Sequence, residues 1–381
     1  MSPLVIIGAG LAGYTVLREF RKRDSTTPVT LITADEGDFY AKPNLSSALG
    51  AGKSAAQLVN APRQKMAADL SAEIRPNTRV MAIDPARHRL QLADGELSYG
   101  RLVLALGADP IAHGLPGEGA DRVFAVNDLA DYAAFRDALL PGARVLILGG
   151  GLIGCEFAND LVGAGHGVEV VHAGAQPLDR LLPAEAGAHL AAGLAAAGVV
   201  WHRQRRALAV HRQGAGVVLE LDNGQRIEAD LVLSAIGLRP RTQLAASAGL
   251  DVARGIRVDR LLASSQANIY ALGDCAEVEG LVLPYVLPLM ASARALAATL
   301  TGTSTPVVYP AMPVVVKTPA HPVVVLPPPA GTPGDWAVTT GETGVCALYT
   351  AADGHLSGFA LTGSETARRA QLARDVPGWL V

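Results

Sequence analysis

The chain has 381 residues, 50% of them hydrophobic, and a formal net charge of −3. That length suggests two or three domains with cores of their own, and the near balance of charge offers no global field for nucleic acid, which is excluded as a partner. No uninterrupted apolar stretch approaches bilayer-spanning length, and Met1-Ser2-Pro3 runs into a strand without a basic or apolar leader, so a cytoplasmic protein with no membrane association is expected.

Leu4 to Ile7 reads as a buried strand, Gly8-Ala-Gly-Leu-Ala-Gly13 as the turn after it, and Leu11–Lys22 as the helix that the turn opens. This is the setting a G-x-G-x-x-G fingerprint requires. Gly8 makes the tight turn, Gly10 lets the backbone approach a pyrophosphate at the helix N-terminus, and Gly13 allows helix to lie close on strand. After a second strand, Ala34-Asp35 follows about 20 residues beyond the loop, where a carboxylate accepts hydrogen bonds from a ribose. A hairpin turns at Asp94-Gly95, and Leu102 to Leu106 forms a buried strand that stops at Gly107. Ala108 to Gly119, with its glycines and prolines, reads as a crossover between domains.

Asn127 or Asp128 caps a helix reaching Leu139. Val145 to Leu148 then leads into Gly149-Gly-Gly-Leu-Ile-Gly154, a second fingerprint, with Gly149, Gly151 and Gly154 in the three glycine roles. Two such loops in one chain most simply hold a flavin permanently and a nicotinamide transiently, since hydride must pass between the rings. At the end of this unit's second strand, Val171-His172-Ala173-Gly174 carries neither a carboxylate for a 2′-hydroxyl nor an arginine for a 2′-phosphate, and His172 reads as incidental. A helix over Ala184–Ala197 ends at Gly198, and an Asn223-Gly224 hairpin leads to Leu231 to Ala235, an apolar strand followed by glycine like that at Leu102. The likeness suggests that the nicotinamide domain interrupts the flavin domain, which resumes near Asp230. The expected bounds are 1–111 and 230–309 for the flavin domain, 112–229 for the nicotinamide domain and 310–381 for a C-terminal domain.

Gly273-Asp274 ends an apolar strand, where the carboxylate can bind a flavin's ribityl chain and the glycine leaves room for it. A helix from near Pro284 to Gly302 would set its N-terminus, with Val286, against the pyrimidine edge of the ring. The cysteines, Cys155, Cys275 and Cys346, stand singly, which excludes the dithiol relay of a disulfide reductase, and they read as packing residues. The basic clusters Arg21 to Arg23 and Arg203 with Arg205-Arg206 read as solvated faces.

The motifs GAGLAG at Gly8, ITAD at Ile32, YAKPNLS at Tyr40, GGGLIGCEFANDL at Gly149, SAIGLRPRT at Ser234, ANIYALGDCAE at Ala267 and MPVVVKTPAHP at Met312 run along nearly the whole chain. With these the sequence resembles the rubredoxin–NAD(+) reductases, FAD-dependent members of the two-dinucleotide flavoprotein superfamily. The resemblance implies an α/β fold with two Rossmann-like, three-layer dinucleotide-binding domains of the glutathione-reductase kind and a small C-terminal α+β domain. It implies FAD held by Gly10, Leu11, Ala12, Gly13, Ala34, Asp35, Lys42, the backbone of Val80, Glu156, Asp274, Val286 and Lys317. Glu156 and Lys317 would stand near the flavin without covalent engagement, Lys317 as a cation beside the ring. The preference for NADH over NADPH rests on the resemblance. The implied activity is NADH-driven, single-electron reduction of rubredoxin, a transient partner, in a chain that commonly serves alkane hydroxylation. Ferredoxin or flavorubredoxin reduction is the rival activity, and a flavin-bearing interaction protein the rival class. Ferredoxin reductases often carry a second lysine where this chain has Ser47. The oligomeric state is left open.

Overall fold

The computed structural model describes residues 3–380. Two five-stranded, wholly parallel sheets organise the first two thirds of the chain. In the first, the order is Ile269–Ala271, Arg101–Leu104, Leu4–Ile7, Val29–Ile32, Glu73–Arg75. The inner strands read as mostly apolar runs because both faces are covered, with Leu4, Leu31, Leu102 and Ile269 fully buried, while the edge strand Glu73–Arg75 is polar and partly exposed. Helices Leu11–Arg21 and Val286–Leu300 lie on this sheet, and Tyr14, Leu17 and Phe20 of the first bury completely. Each such side chain contributes ~1.5–3 kcal/mol. An antiparallel meander, Val80–Asp84, Arg89–Leu92 and Gly95–Ser98, stands beside it.

The second sheet is ordered Val123–Phe124, Leu231–Ser234, Arg144–Leu148, Gly167–His172, Val199–Arg203. Here one expectation is corrected. Leu231–Ser234 does not reopen the flavin domain; it pairs parallel with Arg144–Leu148, Val145 opposite Leu231, and completes the nicotinamide domain. The boundary at 230 therefore moves past the strand, to the linker that follows. That linker is Leu238–Pro240, paired antiparallel with Ala108–Pro110, so the outgoing and returning crossovers form one two-stranded ribbon. Arg241 clasps it, donating from Nε to Asp109 Oδ1 at 2.7 Å and from Nη1 to the Leu106 carbonyl at 3.1 Å.

Between the two candidate caps, Asp128 takes the role: its Oδ1 accepts from Asp131 N–H at 2.8 Å, starting helix Leu129–Ala138. The C-terminal region is an antiparallel sheet ordered Val314–Val316, Val323–Leu326, Leu356–Thr362, Val345–Ala351, Gly334–Thr340. One face, with Val316, Val323, Val325, Val345 and Ala360, shares a core with the nicotinamide domain. The other, with Val324, Leu326, Phe359 and Leu361, is covered by Leu372 and Val376 around helix Arg369–Asp375. Among the described residues no helix is long and apolar enough to cross a membrane, and no group of three or more His, Cys, Asp or Glu side chains could hold a metal ion.

Candidate functional site

Both glycine loops are built to the same plan. At Gly8 (φ +115°) a Cβ would fall 2.2 Å from the Ala105 carbonyl oxygen, and at Gly13 it would fall 1.9 Å from that of Gly8. The second loop repeats this: a Cβ on Gly154 would fall 1.9 Å from the Gly149 oxygen, and Gly149 has φ +101°. By contrast, Gly10 and Gly151 have nothing within 4 Å of a Cβ position. Each loop thus packs tightly on its strand while its middle glycine faces open space. The helices that follow, Leu11–Arg21 and Leu152–Gly163, have no side-chain cap. Their first N–H groups are left for an anion.

Asp35 is exposed just past the end of Val29–Ile32 in the first sheet. Its Oδ1 accepts from the Thr33 hydroxyl at 2.7 Å and from Gly37 N–H at 2.9 Å, which leaves Oδ2 outward. Ala34 is exposed beside it, and Asn77 N–H bonds the Asp35 carbonyl at 2.8 Å, bringing the chain to Val80 at the start of the meander.

The short 3-10 helix Lys42–Ser47 joins two polar groups. At its start, Lys42 Nζ donates to Asn127 Oδ1 at 3.2 Å, and burial and then Arg241 lower its pKa while Asp274 opposes them. Burial raises the Asp274 carboxyl and Lys42 holds it down. Asp274 follows Gly273, whose φ is +76° and whose Cβ position lies 2.9 Å from that of Ala12 in the first loop. Its carboxylate receives no hydrogen bond from the described residues. The acid is partly exposed, so its oxygens remain open to donors from outside the chain, and a ribityl chain's hydroxyls are donors of that kind. The residues present therefore fit FAD, whose pyrophosphate would meet the loop of Gly8, Gly10, Leu11, Ala12 and Gly13.

At the other end of Lys42–Ser47, the Ser46 hydroxyl donates to Glu156 Oε2 at 2.6 Å, and Lys317 Nζ donates to the same oxygen at 2.5 Å. The Lys317 backbone N–H donates to Oε1 at 3.1 Å, and Nζ also reaches the Pro43 carbonyl at 2.6 Å. Glu156 is 2% exposed, on the second phosphate helix; Ser46 comes from the first domain and Lys317 from the C-terminal one. Three domains meet on one carboxylate. The structure brings Glu156 and Lys317 together, and Lys42 with Asp274, while Val286 stands at the N-terminus of its helix with 41% of its surface exposed.

Sequence reasoning missed Ser46, Asn127 and Arg241 as parts of this cluster. Asn127 was legible only as a possible cap, and its bonds to Lys42 and to the Ala108 carbonyl (3.0 Å) join segments far apart in sequence. His172 is not incidental, since both its ring nitrogens meet backbone groups, Gly150 N–H at 3.1 Å and the Gln176 carbonyl at 2.9 Å. The thiols are free and buried: Cys155 Sγ lies 3.4 Å from the Gly150 oxygen, and burial pushes Cys275 up to about 11. A thiol so raised is not a nucleophile at neutral pH.

Two glycine loops of one plan, each opening an uncapped helix, define the class, and the chain belongs to the pyridine nucleotide-disulphide oxidoreductase family, whose model matches residues 2–297. Residues 306–376 match the rubredoxin binding C-terminal domain. The chain is 50% identical over 378 residues to a rubredoxin-NAD(+) reductase of Alcanivorax borkumensis, covering 99% of each chain. It is 44% identical to a rubredoxin-NAD(+) reductase of Acinetobacter baylyi, covering 99% of this chain and 98% of that one. Among solved structures it is similar to the ferredoxin reductase for the CYP199A2 system from Rhodopseudomonas palustris, with TM-score 0.88, 27% identity, and 98% and 95% of the two chains covered.

Proposed function

We propose that the protein is an NADH-dependent flavoprotein that reduces rubredoxin. The observation that carries this reading is the convergence on Glu156: the first domain supplies Ser46, the nicotinamide domain the carboxylate, and the C-terminal domain Lys317. The C-terminal domain that matches the rubredoxin-binding model thus reaches the site with its own cation. Bound in the cradle, FAD supplies the two-electron acceptance and one-electron release that the chain's side chains lack.

The residues themselves hold and orient. Gly149, Gly151 and Gly154 receive the NADH pyrophosphate, and the Leu152–Gly163 helix N-terminus offsets its charge. Asp274 and Asp35 would hold the flavin's ribityl and ribose hydroxyls, and Val80 would meet the adenine through its backbone. Val286 would offer a helix N-terminus to the pyrimidine edge. Lys317 would supply positive charge to the ring, balanced by Glu156. Hydride transfer then needs proximity and alignment, with no covalent step on the protein. We infer further that the protein works in the cytoplasm and supplies an alkane-hydroxylase-type chain, as the family resemblance of its motifs implies.

The test is to mix holoprotein, NADH and oxidised rubredoxin without oxygen and follow the visible bands of the iron centre. Bleaching within seconds, and slower turnover with purified ferredoxin or flavorubredoxin, is the expected result. A carrier order that puts ferredoxin first overturns the choice of partner, and a colourless protein that refuses FAD overturns the whole reading.

A further inference from the structure

The second nucleotide site lacks the acid that usually ends its second strand, yet the structure supplies one from elsewhere. At the strand end, the His172 ring turns under the glycine loop: Nδ1 accepts from Gly150 N–H at 3.1 Å, and Nε2 faces the Gln176 carbonyl at 2.9 Å. One partner is a donor and the other an acceptor, so both ring nitrogens are engaged within the chain. A Cβ on Gly150 would lie 3.0 Å from the ring's Cγ, so this glycine lets the loop rest on the histidine. His172 positions the loop and is not available to a ribose.

The segment after it folds back. Leu178 is buried in the left-handed region at φ +56°, uncommon for a side chain of its kind, and its N–H bonds the Gly150 carbonyl at 2.9 Å. This reversal returns Asp179 to the strand end. A Cβ on Gly174 would fall 1.8 Å from Asp179 Oδ2, and that oxygen stands 3.6 Å from His172 Nε2. The carboxylate is 42% exposed and accepts no hydrogen bond from the described residues. It therefore stands at the carboxyl end of Gly167–His172, where this fold receives the adenosine ribose.

We propose that Asp179 reads the adenosine ribose of the nicotinamide nucleotide and selects NADH against NADPH. The proposal rests on the reading of the protein as an NADH oxidant. Its carboxylate accepts from the 2′- and 3′-hydroxyls, and a 2′-phosphate would set negative charge against it. Arg203 flanks the loop, donating from Nη1 to Gln176 Oε1 at 2.5 Å, and is a cation that a 2′-phosphate could recruit once the acid is removed.

The holoenzyme, its Asp179→Asn variant and its Asp179→Glu variant would be compared with NADH and NADPH, using ferricyanide as acceptor so that carrier docking plays no part. In parallel, ADP-ribose and its 2′-phosphate would be titrated by calorimetry. The expected result is that Asp179→Asn lowers the NADH-to-NADPH ratio of kcat/KM at least tenfold, through KM, and loses the same discrimination between the two calorimetric probes. Asp179→Glu recovers part of it. A ratio unchanged in Asp179→Asn, or equal use of both nucleotides by the unaltered protein, overturns the proposal. Failure of the function reading looks different: the protein would oxidise neither nucleotide, while the calorimetric discrimination would still judge Asp179.

Discussion

Glu156 receives three hydrogen bonds in a nearly dry place, two of them from one residue of another domain. Its side chain is 3% exposed and that of Lys317 31%. Removing one partner of such a pair leaves an uncompensated charge, at a cost of about 3 kcal/mol or more. Lys317→Met is expected to lower thermal stability and to lower the flavin potential by tens of millivolts, since ~30 mV corresponds to ~1.4 kcal/mol for a two-electron couple. Adding Glu156→Gln should restore most of both. A spectroelectrochemical titration and a double-mutant cycle check this, and equal potentials in the three proteins would reject an electrostatic role. At this scale the sequence was only partly legible. Glu156 could be read as an acid near a helix start and Lys317 as a strand lysine, but their pairing joins two domains, with Ser46 from a third, and leaves no spacing to find. His172 failed for a similar reason, because the two groups that engage it are backbone atoms.

The two phosphate loops separate folding from binding within one element. Gly13 and Gly154 press on backbone oxygens that cannot move aside, whereas Gly10 and Gly151 face open space in the ordinary extended region, with φ −70° and −77°. Gly151→Ala is therefore expected to leave the melting temperature nearly unchanged and to raise the KM for NADH at least tenfold. Gly154→Ala should destabilise the domain, since its methyl must push helix from strand. Thermal unfolding beside steady-state kinetics distinguishes the two, and a large loss of stability in Gly151→Ala would contradict the assignment. These loops were legible because strand, turn and helix each leave a pattern of their own. Leu231–Ser234 was not placed correctly from sequence: it and Arg101–Leu104 are both buried parallel strands that lead to a glycine of positive φ, Gly237 and Gly107. Hydrophobic pattern reports that a strand is covered, not which sheet it joins.

Across the whole molecule, the seam between the C-terminal sheet and the nicotinamide domain carries a pair of histidines. His321 Nε2 lies 2.9 Å from His189 Nδ1, which also meets Thr362 Oγ1 at 2.8 Å, and His321 rests on Gly193 of helix Ala184–Ala196. Burial, and then His189, lower the His321 pKa below the ordinary 6.5. A histidine lowered in the folded state binds fewer protons there than in the unfolded chain, so stability is full above the unfolded value and falls as pH drops through the folded one. Melting temperature should therefore decline below about pH 6.5, and His321→Gln should flatten that decline. Identical profiles for the two proteins would place the acid sensitivity elsewhere.

The ribbon of Ala108–Pro110 and Leu238–Pro240 has one more consequence. The two tethers of the nicotinamide half are bound to each other, so turning that half about them would have to break the Asp109–Arg239 pairing and the Arg241 clasp together. The angle at which the second loop presents itself to a nucleotide is therefore set in part by two short strands that touch no nucleotide themselves.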